Sequence, residues 1–189
     1  IDKNQVISCG VDNNVDFEKD MASKGCLVSM YDYSIPELPE PVENSKFFKE
    51  KIGIDPEDTK LGKLLTETHT ILKLDIEGSE WDALRTCTKL AYCDQIVIEM
   101  HWLLNIWDDK FFNAVVGALT NLRKTHTPVL VHANNDQPLL VMGAQPIPNV
   151  FEVLYLNNST YKLEPIKDPF KGLLSPNNTS VPEIGLTFP

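Results

Sequence analysis

Hydrophobic positions along the chain alternate between two patterns, short continuous apolar runs and apolar residues at helical spacing. Residues 5–10 and 26–31 are short, mostly apolar runs, which predict buried strands. Between them, residues 15–25 carry apolar side chains at helical spacing and end at Gly25, a common stop for a helix. A strand, a helix and a second strand form the repeating unit of a parallel sheet, with a right-handed crossover. The start of the chain therefore predicts an α/β fold.

The same alternation continues through the middle of the chain. A proline-rich, polar stretch at residues 35–44 predicts a loop. Further strands are predicted at residues 47–54, 71–76 and 95–100, and helices at residues 58–66, 79–88 and 108–124. Strands that alternate with helices in this way favour a mostly parallel sheet with helices on both faces.

The last two predicted strands are connected differently. Residues 129–132 and 151–156 are apolar runs without a helical pattern between them, and Pro138, Pro146 and Pro148 interrupt their connection. Strands joined without a crossover helix are usually antiparallel. We therefore predict a Rossmann-like, three-layer α/β fold, whose mostly parallel sheet ends in an antiparallel C-terminal strand pair.

Length and composition fit one domain followed by a tail. The chain has 189 residues, of which 42% are hydrophobic and 23% are charged, as in ordinary globular proteins. We assign residues 1–156 to the α/β domain. Residues 157–189 are rich in Pro, Asn, Ser and Thr, which predicts a tail that wraps over the surface.

The charge of the chain narrows the classes of partner. The net charge is −10, so the surface repels phosphate backbones and anionic membranes, and we predict no nucleic-acid partner. No apolar run approaches the roughly 20 residues that cross a bilayer, so we expect no membrane span in this chain. The polar first residues, IDKNQ, lack an initiator Met, which is typical of a trimmed or processed chain and leaves open whether a leader or an anchor was removed.

Cysteines and glycosylation triplets bear on the cellular compartment. None of the four cysteines forms a Cys-x-x-Cys pair, so a structural zinc site is not expected. Cys87 and Cys93 flank a short connection and could close a disulfide loop. Asn-x-Ser/Thr triplets begin at Asn157, Asn158, Asn177 and Asn178. Together these features favour a glycoprotein of the secretory pathway, either in the Golgi lumen or secreted, with the cytoplasm as the alternative.

Residues at the predicted strand ends are candidates for a functional site, because ligands of open parallel sheets bind beyond the carboxyl ends of the strands. Gly10 ends the first strand. Asp32 ends the second, where an acidic residue can bind both ribose hydroxyls of an adenosine cofactor. The fingerprint Gly-x-Gly-x-x-Gly is absent after the first strand, which disfavours NAD and FAD. S-adenosylmethionine has no phosphate and needs only close backbone approach, so we predict it as the cofactor.

A group of carboxylates follows the predicted strand at residues 71–76. Asp75, Glu77 and Glu80 are close in sequence, and like charges held together often mark a site for a proton or a cation. Asp75 and Glu77 are therefore candidates to lie beside the cationic sulfonium, whereas we interpret Glu80 as a charge at a helix N-terminus. His101, which follows a later strand, is the candidate to take a proton from a hydroxyl. We assign no metal ligand from the sequence.

One segment resembles a known family. LKLDIEGSEWDAL, residues 72–84, is similar to the LKxDxEGxEW block of FkbM-type methyltransferases, in particular their animal branch, which includes nematode proteins. Weaker similarities follow in the family's order: VISCGVDNNVDFEKDMA, VSMYDYS, QIVIEMHW, VLVHANN, PNVFEVLYL and PNNTSVPEIGL. The resemblance implies a class I methyltransferase fold and methyl transfer to an oxygen. The family's glycine-rich DxGAxxG turn is reduced here to SCGVD, which weakens the expectation of cofactor binding.

Two functions from different classes remain open. The first is an S-adenosylmethionine-dependent O-methyltransferase that acts on a sugar, glycan or small-molecule hydroxyl, with Asp75 or His101 as the proton acceptor. The second is a secreted or lumenal binding module that keeps the fold but has lost catalysis, for which we expect a cleft filled by side chains. A nicotinamide oxidoreductase is disfavoured by the missing fingerprint.

Overall fold

A seven-stranded sheet forms the centre of the protein. The structure is a computed structural model that describes residues 5–142, 145–164, 174–184 and 186. The strands of the described residues are β1 (Gln5–Cys9), β2 (Leu27–Tyr31), β3 (Ser45–Phe48), β4 (Thr70–Leu74), β5 (Cys93–Met100), β6 (His126–Ala133), β7 (Leu139–Met142), β8 (Gln145–Pro148) and β9 (Phe151–Asn157). Strands β7 and β8 form a separate two-stranded sheet, and the others form the seven-stranded sheet. The α-helices are α1 (Asp16–Ser23), α2 (Leu61–Leu64), α3 (Glu80–Thr86) and α4 (Asp109–Leu122).

The strand order of the main sheet is β3-β2-β1-β4-β5-β9-β6. Strands β1 to β5 run parallel to one another, whereas β9 lies between β5 and β6 and is antiparallel to both. This topology is the class I methyltransferase-like α/β fold that the sequence predicts. The expected antiparallel strands at the carboxyl end are β6 and β9, which confirms that part of the prediction.

Hydrophobic side chains cover both faces of the sheet, because neighbouring residues of a strand point to opposite sides. Val6 in β1 belongs to a core that also contains Met30 and the buried face of α1. The next residue, Ile7, belongs to a larger core with Leu72 and Trp81, which α3 and α4 complete. Helices therefore lie on both faces, as predicted. No helix in the described part of the chain is long and apolar enough to span a membrane.

The segment between β3 and α2 is less regular than the sequence predicts. β3 ends at Phe48 and α2 begins at Leu61, so both elements are shorter than expected. Asp58 lies between them, and its buried carboxylate accepts a hydrogen bond from the backbone N–H of Asp55 and pairs with Lys51. These local contacts hold residues 55–58 in a turn, so the helix begins three residues later than the sequence pattern predicts.

The connection from β6 to β9 contains an antiparallel hairpin of β7 and β8, which the sequence analysis did not predict. Pro146 and Pro148 lie in β8, paired with Val141 and Leu139 of β7. Proline has no N–H to donate to a second neighbour, so it is found mostly in edge strands. A two-stranded sheet consists only of edge strands, and it therefore tolerates the prolines that we interpreted as interruptions.

All four cysteines are buried and free. The disulfide bond that the sequence allows between Cys87 and Cys93 is therefore not formed in the structure. Burial raises the pKa of Cys9 to about 12 and also raises the pKa of Cys87. Because the thiolate is the reactive form of cysteine, these side chains are protected both by burial and by protonation.

Thiol titration tests the assignment of four free cysteines. Ellman's reagent should react with none of the four thiols in the native protein and with all four after unfolding in guanidinium without reductant. The reason is that burial shields each thiol from the reagent until the chain unfolds. A yield of two thiols after unfolding would show instead that two of the four cysteines are bridged, and peptide mapping would then test whether they are Cys87 and Cys93.

The described part of the C-terminal tail lies against β6 and the turn that follows it. The side chain of Asn135 donates to the backbone carbonyl of Asn178, and His132 lies 3.3 Å from Glu183. Asn157, which begins one of the four glycosylation triplets, is buried and donates to two backbone carbonyls. It therefore cannot carry a glycan in the folded protein. The secretory compartment and the domain boundary after residue 156 stay predictions.

Candidate active site

Gly10 lies where the ends of β1, β2 and β4 meet. Its N–H donates to the carbonyl of Tyr31 in β2 at 2.9 Å, and the N–H of Asp75 donates to the carbonyl of Cys9 in β1 at 2.9 Å. Gly10 has a φ of +83°, and a Cβ atom placed on it would overlap the carbonyl oxygen of Asp75. Only glycine combines this φ with so close a backbone contact. The glycine is thus required for the turn itself, whether or not a cofactor approaches it.

Asp32 holds the loops that follow β1 and β2. One carboxylate oxygen accepts the N–H groups of Val11 and Asp12 at 2.9 and 3.0 Å. The other accepts the N–H and hydroxyl of Ser34 at 2.7 and 2.6 Å. Burial by itself would raise the pKa of Asp32, but the hydrogen bonds from Ser34, Asp12 and Val11 lower it below its ordinary value. The residue is therefore ionised at neutral pH, and its acceptor sites are occupied by the chain.

An open cleft of about 390 Å³ lies beyond the carboxyl ends of β1, β2 and β4. This volume is within the range typical of small-molecule sites, about 300–1,000 Å³. Its acidic lining residues are Asp12, Asp32, Glu50, Asp75 and Glu77, and Lys51 is the basic residue among those that line it. Tyr31, Tyr33, Ile52 and Ile76 supply aromatic and apolar surface. The cleft is thus predominantly acidic, with apolar patches that suit a flat ring.

His101 lies beside this cleft in a group of carboxylates. It follows β5, its side chain is 5% exposed, and its Nε2 atom lies 3.8 Å from Asp75, 3.6 Å from Glu77 and 3.8 Å from Glu99. Asp75 follows β4, and Glu99 belongs to the neighbouring strand β5. Because β4 and β5 are parallel neighbours, their ends bring the three residues to one place. The sequence placed His101 and Asp75 at the same edge, and the structure puts them side by side.

Glu80 corrects one interpretation made from the sequence. It is the first residue of α3 but is 0% exposed, so it is not a solvated charge at a helix end. Its carboxylate accepts the N–H of Gly78 at 2.8 Å, the N–H of His101 at 2.7 Å and lies 3.2 Å from the Nδ1 atom of the same imidazole. The partner of Glu80 is 21 residues away in the chain, so local spacing gave no signal of this contact.

The pKa values of His101 and Asp75 are both displaced upward. Burial would lower the pKa of His101, but the hydrogen bond and charge of Glu80, with the charges of Glu99 and Glu77, raise it to about 9. Burial and the charge of Glu99 raise the pKa of Asp75 to about 6. At neutral pH the imidazole of His101 is therefore mainly protonated. The carboxylate of Asp75 is mainly unprotonated and can accept a proton.

All of the residues that the sequence predicted for the site lie at one edge of the sheet. Gly10, Asp32, Asp75 and Glu77 line the cleft, and His101 adjoins it. This placement agrees with the rule for open parallel sheets. Their roles in cofactor binding and catalysis stay predictions.

Several solved structures are similar to this chain in fold. One is a mutant of the 16S rRNA (adenine(1408)-N(1))-methyltransferase from Catenulisporales acidiphilia, with a TM-score of 0.43, 12% identity, and coverage of 82% of this chain and 85% of that chain. Another is the bifunctional kinase-methyltransferase WbdD, with a TM-score of 0.47, 11% identity, and coverage of 82% of this chain and 35% of that chain. No protein-family profile matches the chain, and no curated protein matches it significantly. The resemblance to FkbM-type methyltransferases therefore stays a prediction.

Proposed function

We propose that this protein is an S-adenosylmethionine-dependent O-methyltransferase whose acceptor is the hydroxyl group of a sugar or another small molecule. The observation that carries the proposal is the open, acidic cleft at the carboxyl edge of the sheet. When bound, the cofactor supplies an electrophilic methyl group, so the protein needs mainly to hold two reactants in line and to accept one proton.

The position of the cleft supports this proposal. The chain passes from β1 outward through β2 to β3, and then returns to add β4 and β5 on the other side of β1. The strand order thus reverses between β1 and β4, and Gly10 and Asp75 lie at the ends of these two strands. Ligands of open α/β sheets bind at such a reversal, outside the carboxyl ends of the strands.

The charge of the cleft favours a sulfonium cofactor over a dinucleotide. A pyrophosphate would be repelled by the carboxylates of Asp12, Asp75 and Glu77, whereas a sulfonium cation is attracted by them. Tyr33 is 59% exposed in the wall and offers an aromatic surface for an adenine ring. The residues present therefore fit S-adenosylmethionine better than NAD or FAD.

Residue roles follow from this placement. Asp32 would bind the ribose hydroxyls once the Ser34 hydroxyl has turned away from the carboxylate and freed an acceptor site. Asp75 and Glu77 would face the sulfonium. Of the two candidates, Asp75 would accept the proton that the acceptor hydroxyl loses as its oxygen is methylated, because His101 is already mainly protonated at neutral pH. The alternative function, an inactive binding module, predicts a filled cleft, whereas the cleft of this protein is open.

Isothermal titration with S-adenosylmethionine and S-adenosylhomocysteine tests the proposal. Both compounds should bind with one site, and Asp32→Asn should weaken binding at least tenfold because the ribose loses a charged acceptor. The Asn side chain can still accept from Val11 and Asp12 and donate to the hydroxyl of Ser34, and it loses only the acceptor for the Ser34 N–H, so we expect the variant to fold with reduced stability. Ser34→Ala frees one acceptor site of Asp32 and should bind as well as the unaltered protein, or better.

Asp20→Asn is the matched control, since Asp20 is an exposed carboxylate on α1 outside the cleft lining. It should leave binding unchanged, and circular dichroism should confirm that each variant is folded. If neither compound binds the unaltered protein, or if folded Asp32→Asn binds as tightly as that protein, the proposed cofactor site is wrong.

A further inference from the structure

We propose that Asp75, Glu99 and His101 form a binding site for one divalent metal ion, with Mn²⁺ as a well-suited occupant. One carboxylate oxygen from each acidic residue and one imidazole nitrogen lie within 4.8 Å of one another. The three residues follow or end the adjacent strands β4 and β5, so the sheet itself fixes their spacing. This inference does not rest on the proposed function.

The strongest evidence for a ligand is the Nε2 atom of His101. Within the residues that the structure describes, this atom has no hydrogen-bond partner, although the side chain is only 5% exposed. Its nearest acidic oxygens belong to Glu77, Asp75 and Glu99 and lie 3.6–3.8 Å away, beyond hydrogen-bonding distance. This nitrogen therefore faces three carboxylates at ion-pair distance but hydrogen-bonds to none of them, and a cation bound between these groups would satisfy the nitrogen and the carboxylates together.

The carboxylates have free acceptor sites as well. No hydrogen bond to the side chain of Asp75 is formed by any described residue, and Glu99 accepts a single one, from Asn134 at 3.2 Å. The Asp75 side chain is only 32% exposed, so its oxygens are partly withdrawn from water. Two carboxylates with free acceptor sites, next to an imidazole nitrogen that makes no hydrogen bond within the described residues, supply three ligand atoms on one side of a cation.

The spacing of these atoms fits a metal ion. Ligand atoms bound at about 2.1 Å lie about 3.0 Å apart at right angles and about 4.2 Å apart when opposite. The 3.8 Å separations of Nε2 from Asp75 and Glu99 fall between these limits. Small side-chain rotations would therefore complete the coordination without any change in the backbone.

The surroundings of His101 match those of a metal-binding histidine. Such residues usually hold their second ring nitrogen against a carboxylate, which fixes the orientation of the ring. Glu80 occupies this position at 3.2 Å from Nδ1 and also accepts the backbone N–H of His101. The carbonyl of His101 accepts the indole N–H of Trp81 at 2.8 Å, so the residue is held from both sides. Nε2 is thereby fixed in its direction toward the carboxylates.

The ligand chemistry narrows the choice of ion. Carboxylate oxygens suit Mg²⁺, Ca²⁺ and Mn²⁺, whereas imidazole suits Zn²⁺, Fe²⁺ and other transition metals. One imidazole with two carboxylates combines these preferences, which Mn²⁺ satisfies. Asp75 also lines the cleft, so an ion here would have open positions that face a small molecule in it. Glu77 is 73% exposed and can approach as a further ligand.

Titration of the chelator-treated, dialysed protein with MnCl₂ tests the site directly. Free Mn²⁺ has a strong electron paramagnetic resonance signal, and its loss should show saturable binding of one equivalent. Asp75→Asn and Glu99→Gln should each weaken binding at least tenfold, because each removes a charged ligand. Glu80→Gln should weaken it about 10–100-fold without changing the stoichiometry, as expected for a carboxylate that orients a ligand. Asp82→Asn, on α3 outside the group, should bind Mn²⁺ as the unaltered protein does.

A second measurement on the unaltered protein avoids any dependence on the folding of the variants. Substoichiometric Mn²⁺ should broaden the imidazole proton resonances of His101 before those of His69, which precedes β4 at the opposite end of that strand. Absence of saturable binding, or broadening of both histidines in parallel, would overturn the proposal. The proposed cofactor site and the proposed metal site are tested separately. Titration of S-adenosylmethionine with chelator present tests the cofactor site without metal, and titration of MnCl₂ without cofactor tests the metal site alone.

Discussion

Replacing Gly10 by Ala should lower the free energy of unfolding by about 2–5 kcal/mol. Two effects add in this estimate. A residue with a side chain resists a φ of +83°, and the new Cβ atom would overlap the carbonyl oxygen of Asp75. That oxygen belongs to the backbone and cannot rotate away, so β1 and β4 must separate at the edge where the cleft opens. Urea unfolding followed by circular dichroism measures the change.

Gly25→Ala is the matched control for this prediction. Gly25 has nearly the same φ, +86°, but a Cβ atom placed there meets nothing within 4 Å. Its substitution therefore reports the backbone strain alone, about 1–2 kcal/mol. The difference between the two variants measures the close contact of Gly10 with Asp75. Equal losses of stability would show that this contact is not the reason for a glycine at position 10.

Replacing Glu80 by Ala should cost about 3–5 kcal/mol, because the change leaves the buried N–H groups of His101 and Gly78 without their acceptor and the imidazole without its counter-charge. Glu80→Gln keeps the shape and one acceptor oxygen, so it should cost less, about 1–3 kcal/mol. Glu77→Gln is the control. Glu77 is 73% exposed, and its substitution should change the free energy of unfolding by less than about 0.5 kcal/mol.

A pH series distinguishes the effect of Glu80 on His101 from a simple loss of packing. Burial would lower the pKa of His101, and Glu80 contributes most to raising it from 6.5 to about 9. A raised pKa in the folded state adds stability that is fully present below pH 6.5 and is lost as the pH rises toward 9. In metal-free Glu80→Gln this loss should be smaller, and the His101 resonance should titrate at a lower pH. An unchanged titration would mean that Glu80 does not act on the imidazole.

The alternation of hydrophobic residues was sufficient to predict the parallel sheet. Each strand from β1 to β5 except β3 lies within about two residues of its predicted position, because buried strands need near-continuous apolar runs. β3 and α2 were less well predicted, since Asp58 and its contacts with Asp55 and Lys51 replace regular backbone pairing there. The hairpin of β7 and β8 was missed because its prolines were interpreted as breaks.

The candidate site was only partly predictable. The strand-end rule placed Gly10, Asp32 and Asp75 at one edge, and the structure agrees. The same rule gave no information on which donors reach a carboxylate. Asp32 turned out to have its acceptor sites filled by its own loops, and Glu80 turned out to be buried against His101.

The sequence by itself determined the alternation of strands and helices from β1 to β5 and the edge of the sheet where polar residues collect, because hydrophobic periodicity and chain direction are local properties. Only the tertiary structure decided the environment of each charge. Glu80 and His101 are 21 residues apart in the chain and become hydrogen-bonded partners only when α3 packs beside the end of β5. Burial and charge separation depend on such distant contacts. They therefore appear only once the sheet has brought the ends of β4 and β5 together.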